Sequence, residues 1–207
     1  PWYNRTSGNG PSAEPGTSGG VGHLDLQHRR GDVGGQQTGG LWDITDEPRS
    51  LGDFGADTVV YSSTFAGHTL LFGTLEGEIR RYDLTTPTTP SELPTLSVGA
   101  GTQVQALAAA DDWVLAGGAT ATAAVFSADG TRHADLTLPS RLLSASVSED
   151  GSEVVGGTTN AGAIVWRVTR PPGQGPTFTQ RASLELPLNV HAVLHAEAAA
   201  DQQVEVG

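Results

Sequence analysis

His191 and His195 stand four residues apart, beside the helix-favouring stretch "AEAAAD". On a helix the two imidazoles would share a face and could hold a metal between them. Three further stretches carry residue types that do chemistry in other settings. "RGD" at Arg30 to Asp32 matches an integrin-binding tripeptide, and "GAGTQV" (99–104) has part of a phosphate loop's glycine spacing. Arg80-Arg81 followed by Tyr82 joins residue types that dominate binding hot spots. "NRT" at Asn4 fits the N-glycosylation acceptor pattern. Whether any of these groups acts depends on the elements that carry them.

Those elements repeat. "DVGGQQTGGLWDIT" (32–45), "LFGTLEGEIRRYDLT" (71–85), "VLAGGATATAAVFSADG" (114–130) and "EVVGGTTNAGAIVWRVT" (153–169) share one grammar: apolar residues, glycine, a small polar turn, then a strand with one aromatic. The aromatics are Trp42, Tyr82, Phe126 and Trp166, spaced by 40, 44 and 40 residues, with Trp2 another 40 before Trp42. Gly35, Gly73, Gly118 and Gly157 keep step with them, seven to nine residues ahead of each aromatic.

A short strand precedes each of these stretches: "VGHLDLQ" (21–27), "TVVYSSTFA" (58–66), "TQVQALAAA" (102–110) and "RLLSASVS" (141–148). Small residues on both faces, such as Ala106, Ala108, Ser144 and Ala145, predict strands packed on both sides. After each aromatic comes a more polar strand, as in "RSLGDF" and "RHADLTL". Each unit therefore reads as four antiparallel strands in about 41 residues, the period of a β-propeller blade. One such sheet cannot bury both faces alone, so the units must stack on one another.

"GGLWDIT" and "GEIRRYDLT" resemble the third strand and closing Trp-Asp of WD40 repeats, and "SEDGSEVVGG" resembles the hairpin before it. The resemblance runs from about residue 20 onward and implies a propeller whose partners are proteins or peptides. The Asp after the aromatic is present as Asp43 and Asp83 but replaced by Ser127 and Arg167, and Glu76 and Asn160 stand where the family prefers Asp. "DLTTPTTPSELPTLSVG" also resembles repeats of bacterial and archaeal surface propellers.

The expected organisation is an N-terminal strand and Gly/Pro/Ser-rich linker over 1–20, then propeller repeats over 21–207. Units fall at about 21–57, 58–101, 102–140, 141–188 and a partial 189–207. "PWYNRT" reads as a third strand that would complete the unit begun by "NVHAVLHAEAAADQQVEVG" (189–207). The chain is then either a complete five-bladed ring closed between its ends or, as the interrupted "VEVG" favours, an excerpt of a larger, seven-bladed ring.

In this register the candidate groups take ordinary places. His191 and His195 fall on a first strand, where residues four apart lie roughly 13 Å from each other. Arg30 to Asp32 becomes a turn, 99–104 a loop between blades without a following helix, and Arg80 to Tyr82 a strand whose alternate residues pack. "RPPGQGPT" (170–177) is an inserted loop, where a propeller carries partner-specific features. No catalytic, cofactor-binding or metal-ligating residue is assigned.

Composition bounds the rest. With 11 Arg, no Lys and 23 acidic residues the formal charge is −12, which repels phosphate backbones and anionic lipid heads. Cysteine is absent, which excludes disulfides and thiolate sites, and no apolar run reaches the length of a membrane span. The compartment stays open, leaning to the cell interior. The expected function is a non-catalytic scaffold for protein–protein interaction that needs no cofactor. The alternatives are a secreted or cell-surface propeller that binds glycans or other surface partners, and a metal-dependent propeller enzyme.

Overall fold

The computed structural model describes residues 3–6, 23–27, 37–43, 49–56, 58–160, 162–185 and 189–191, with side chains at 49, 50 and, within those ranges, from 58 onward. The described residues form strands and turns and contain no helix. Four four-stranded sheets follow one another along the chain.

The first sheet holds β1 (Tyr3–Thr6), β2 (His23–Gln27), β3 (Gln37–Asp43) and β4 (Arg49–Ala56). The second holds β5 (Val60–Ala66), β6 (Thr69–Thr74), β7 (Glu78–Asp83) and β8 (Ser91–Ser97). The third holds β9 (Val104–Ala110), β10 (Trp113–Gly118), β11 (Thr122–Ser127) and β12 (Arg132–Thr137). The fourth holds β13 (Leu142–Val147), β14 (Glu153–Thr158), β15 (Gly162–Thr169) and β16 (Thr177–Leu184). The last three sheets are antiparallel throughout, as the repeat predicts.

The first sheet departs from that expectation. Its β2 lies opposite the aromatic strand, with His23 facing Trp42 as Leu70 faces Tyr82 and Val154 faces Trp166. Residues 23–27 are thus a second strand, where the sequence predicts a first. The first position is taken by β1, which runs parallel to β2 and packs on β5. The connection over 7–22 is long enough for parallel pairing, which a tight hairpin is not. Tyr3–Thr6 therefore belongs to the first sheet, and the expected third-strand pairing with 189–207 is corrected for these residues.

The two-sided packing follows from the alternation of side chains along a strand. In the third sheet Trp113, Leu115 and Val125 enter a core shared with Leu142, Val154, Ile164 and Trp166 of the fourth. Val114, Ala116 and Phe126 point the other way, into a core with Leu71, Ile79 and Leu96 of the second. All six residues of β10 are buried, because both faces meet a neighbouring sheet.

The first strands make the closest inter-sheet contacts, and the small residues explain how. Ser62 Oγ donates to the Val104 carbonyl at 2.8 Å, and Ser144 Oγ donates to the Val190 carbonyl at 3.0 Å. A Cβ on Gly73 would sit 2.6 Å from a Val104 methyl, and one on Gly157 would sit 2.7 Å from a Val190 methyl. Residues 189–191 thus continue onto the fourth sheet the contact that the third makes with the second.

Candidate functional site

The hairpins joining first to second strands all turn at one end of the stack. They place Gly67, Asp111 and Asp112, and Ser148 to Asp150 around an open cleft of about 580 Å³. Its floor is apolar, from Phe65, Ala109 and Val147, and its rim carries Asp111, Asp112, Glu149 and Asp150. Arg170, at the end of β15, reaches across two sheets. Its Nε donates to Asp112 Oδ2 at 2.6 Å and its Nη2 to the Gly151 carbonyl at 3.1 Å.

Asp150 is held by the turn itself. Its Oδ1 accepts from Ser148 Oγ at 2.7 Å and from the Ser152 amide at 2.9 Å, and Gly151 adopts a φ of 67° that a Cβ would strain. These hydrogen bonds, with Arg170 a lesser influence, hold its carboxyl at a pKa of about 2. The turn at 127–131 repeats the arrangement: Asp129 accepts from Ser127 Oγ and from the Thr131 amide, and its pKa is also about 2. The shared pattern Ser-x-Asp-Gly-Ser/Thr is legible in "SADGT" and "SEDGS", a signal the sequence reading passes over. Both carboxylates remain ionised far into the acid range, and Asp150 keeps its part of the cleft rim anionic.

The expected groups separate. Arg81 is only 5 % exposed, and its guanidinium donates to the carbonyls of Pro94 and Ala128, each at 2.8 Å. Burial lowers its pKa while the Asp129 carboxylate opposes the shift. It joins the second sheet to the third, as expected of a strand whose alternate residues pack, and this takes Arg81 out of the alternative partner-facing reading. Arg80 lies 3.8 Å from Glu78, and Tyr82 meets Phe72 edge-on with ring centroids 5.8 Å apart.

Asp83, the residue that the WD40 resemblance singles out, accepts from the Thr85 hydroxyl at 2.6 Å and from its amide at 2.8 Å. Those bonds lower its pKa. It closes a local turn here.

Of the segment 99–104, residues 99–103 form a loop between β8 and β9 and Val104 opens β9, with the Thr102 amide donating to the Gly99 carbonyl at 3.1 Å. His191 is exposed, while His195 and Arg30 to Asp32 lie outside the described residues. Asn4 falls on β1, and its side chain lies outside the described ones. Among the described residues no group of three or more His, Cys, Asp or Glu could hold a metal ion. Among them, too, no helix is long and apolar enough to cross a membrane.

No protein-family model matches the sequence, and no curated protein does. Solved structures of designed proteins do match the fold. The computationally designed Ika4 protein aligns with a TM-score of 0.51 at 24% identity, over 63% of this chain and 79% of that one. The computationally designed Ika8 protein aligns with a TM-score of 0.60 at 21% identity, over 83% of this chain and 52% of that one. The chain thus spans about half the length of the Ika8 protein. At these identities the likeness concerns the fold alone.

Proposed function

We propose that this chain is a WD40-like β-propeller acting as a non-catalytic scaffold for protein or peptide partners. The observation that carries the reading is the convergence of hairpin turns from three successive sheets on one cleft with an apolar floor and an anionic rim. Such a surface suits a partner that presents basic side chains around an apolar anchor. The Trp-Asp grammar and the stacking of four-stranded sheets support the propeller. The formal charge of −12 argues against nucleic acid and anionic membranes as partners.

The test is affinity capture with the immobilised full chain, with retained proteins identified by mass spectrometry and their affinities measured. Asp111→Arg with Glu149→Arg should weaken those partners at least about tenfold, a typical cost of reversing interface charge. Glu92→Arg, on the outer strand of the second sheet, should leave them bound. Failure of the full chain to retain any identifiable partner, or equal binding by the cleft variant, would overturn the reading.

A further inference from the structure

Arg170 lies in the cleft as a guanidinium that the chain itself supplies. From the end of β15 it crosses to the third sheet, where Nε meets Asp112 Oδ2 at 2.6 Å, while Nη2 meets the Gly151 carbonyl at 3.1 Å. Gly151 makes room for it, since a Cβ there would sit 2.6 Å from Arg170 Nη2. A carboxylate and a carbonyl that meet one planar fork suit a guanidinium better than an ammonium, whose charge is compact and strongly hydrated. The side chains of Arg170 and Asp112 are 37% and 47% exposed, so their ion pair adds little to the stability of the fold.

Arg170 does not balance the cleft. Four carboxylates and one guanidinium line it, a formal surplus of three negative charges. Asp111 and Glu149 are exposed and make no ion pair among the described residues. The apolar floor, with Ala109 and Val147, offers surface to an aliphatic stem. At about 580 Å³ the cleft falls within the range of about 300–1,000 Å³ of small-ligand pockets.

Resting on the scaffold reading of this cleft and narrowing it to one side chain, we infer that the cleft takes an arginine of a peptide partner, seated beside Arg170. Its stem lies on the apolar floor and its guanidinium faces Asp111 and Glu149. An acidic or neutral segment would leave the surplus charge unmatched. A lysine supplies the stem but holds its water more tightly. Arg170 is then a resident competitor: it occupies Asp112 and sets a like charge beside the ligand.

The test uses capped nonapeptides with arginine fixed at the centre and the flanking positions randomised, screened on the full chain and then titrated singly by calorimetry. Exchanging the central arginine for citrulline, which keeps the shape and loses the charge, should weaken the best binder at least about tenfold, and lysine should weaken it about threefold. Arg170→Gln opens the seat at Asp112 and Gly151. It should tighten the one-arginine peptide about threefold, and a peptide with a second arginine two positions on about tenfold. Arg170→Lys keeps the charge and should bind the one-arginine peptide as the wild type does; thermal melting of each variant shows whether it folds. Equal binding of the arginine and citrulline peptides, or a preference for lysine, would overturn the assignment while leaving partners captured by the full chain, and with them the scaffold reading, in place. Unchanged or weaker binding of both arginine peptides by folded Arg170→Gln would overturn it as well. A library without any binder would overturn it too, whatever affinity capture retains.

Discussion

Arg81 shows how a charged residue becomes structural when both ends of its guanidinium find carbonyls. It holds Pro94 of its own sheet and Ala128 of the next, at 5 % exposure. Arg81→Ala would leave two carbonyls without their donor and should cost about 2–4 kcal/mol in urea unfolding. Arg81→Lys should recover only part of that, because one ammonium cannot span two carbonyls as a planar fork does. Asp129 and Asp150 make a second prediction at this scale. Their folded pKa values of about 2 lie below the unfolded value of about 3.9, so their contribution is complete above pH 4. It fades as pH falls toward 2. Melting curves of the wild type and of Asp150→Ala should accordingly differ at pH 6 and converge near pH 2; a gap unchanged at pH 2 would contradict the assignment.

Between elements, the decisive contact is the approach of one first strand to the glycine of the preceding sheet. Gly73→Ala would place a methyl 2.6 Å from a Val104 methyl and 2.4 Å from Ser62 Oγ, within the core between two sheets. The expected cost is about 1–3 kcal/mol from overpacking. Val104→Ala in the same chain should relieve part of it, giving a favourable coupling of about 1 kcal/mol in a double-mutant cycle. Additive effects would show that the sheets part to admit the methyl. The same contact gives the small residues of "TQVQALAAA" and "RLLSASVS" their meaning, since bulky side chains there would hold the sheets apart.

For the molecule as a whole, the proposed propeller makes a claim about cooperativity. Sheets joined in a closed ring have no free end from which to fray, so calorimetry should show one transition with equal calorimetric and van't Hoff enthalpies. An open stack of sheets behaves as a one-dimensional array, and its end units should melt first in a separate transition. Differential scanning calorimetry of the full chain distinguishes the two.

The sequence by itself determined the all-β class, the repeating four-strand unit and the two-sided packing. All three follow from local patterns: the spacing of Trp42, Tyr82, Phe126 and Trp166, the glycines in step with them, and small residues on both faces of the strands. Only the tertiary structure decided which strand pairs with which in the first sheet. A short apolar run such as "HLDLQ" suits a first or a second position equally, and the partner across the ladder makes the choice. The fate of Arg81 was decided there too, since its acceptors lie 13 and 47 residues away. The candidate site has the same origin. The cleft gathers turns from three sheets, and the bulge that recurs at one register of their first strands shows only in the strand pairing. Side-chain types at those positions vary from unit to unit, so no pattern along the chain marks them. Stacking brings them together.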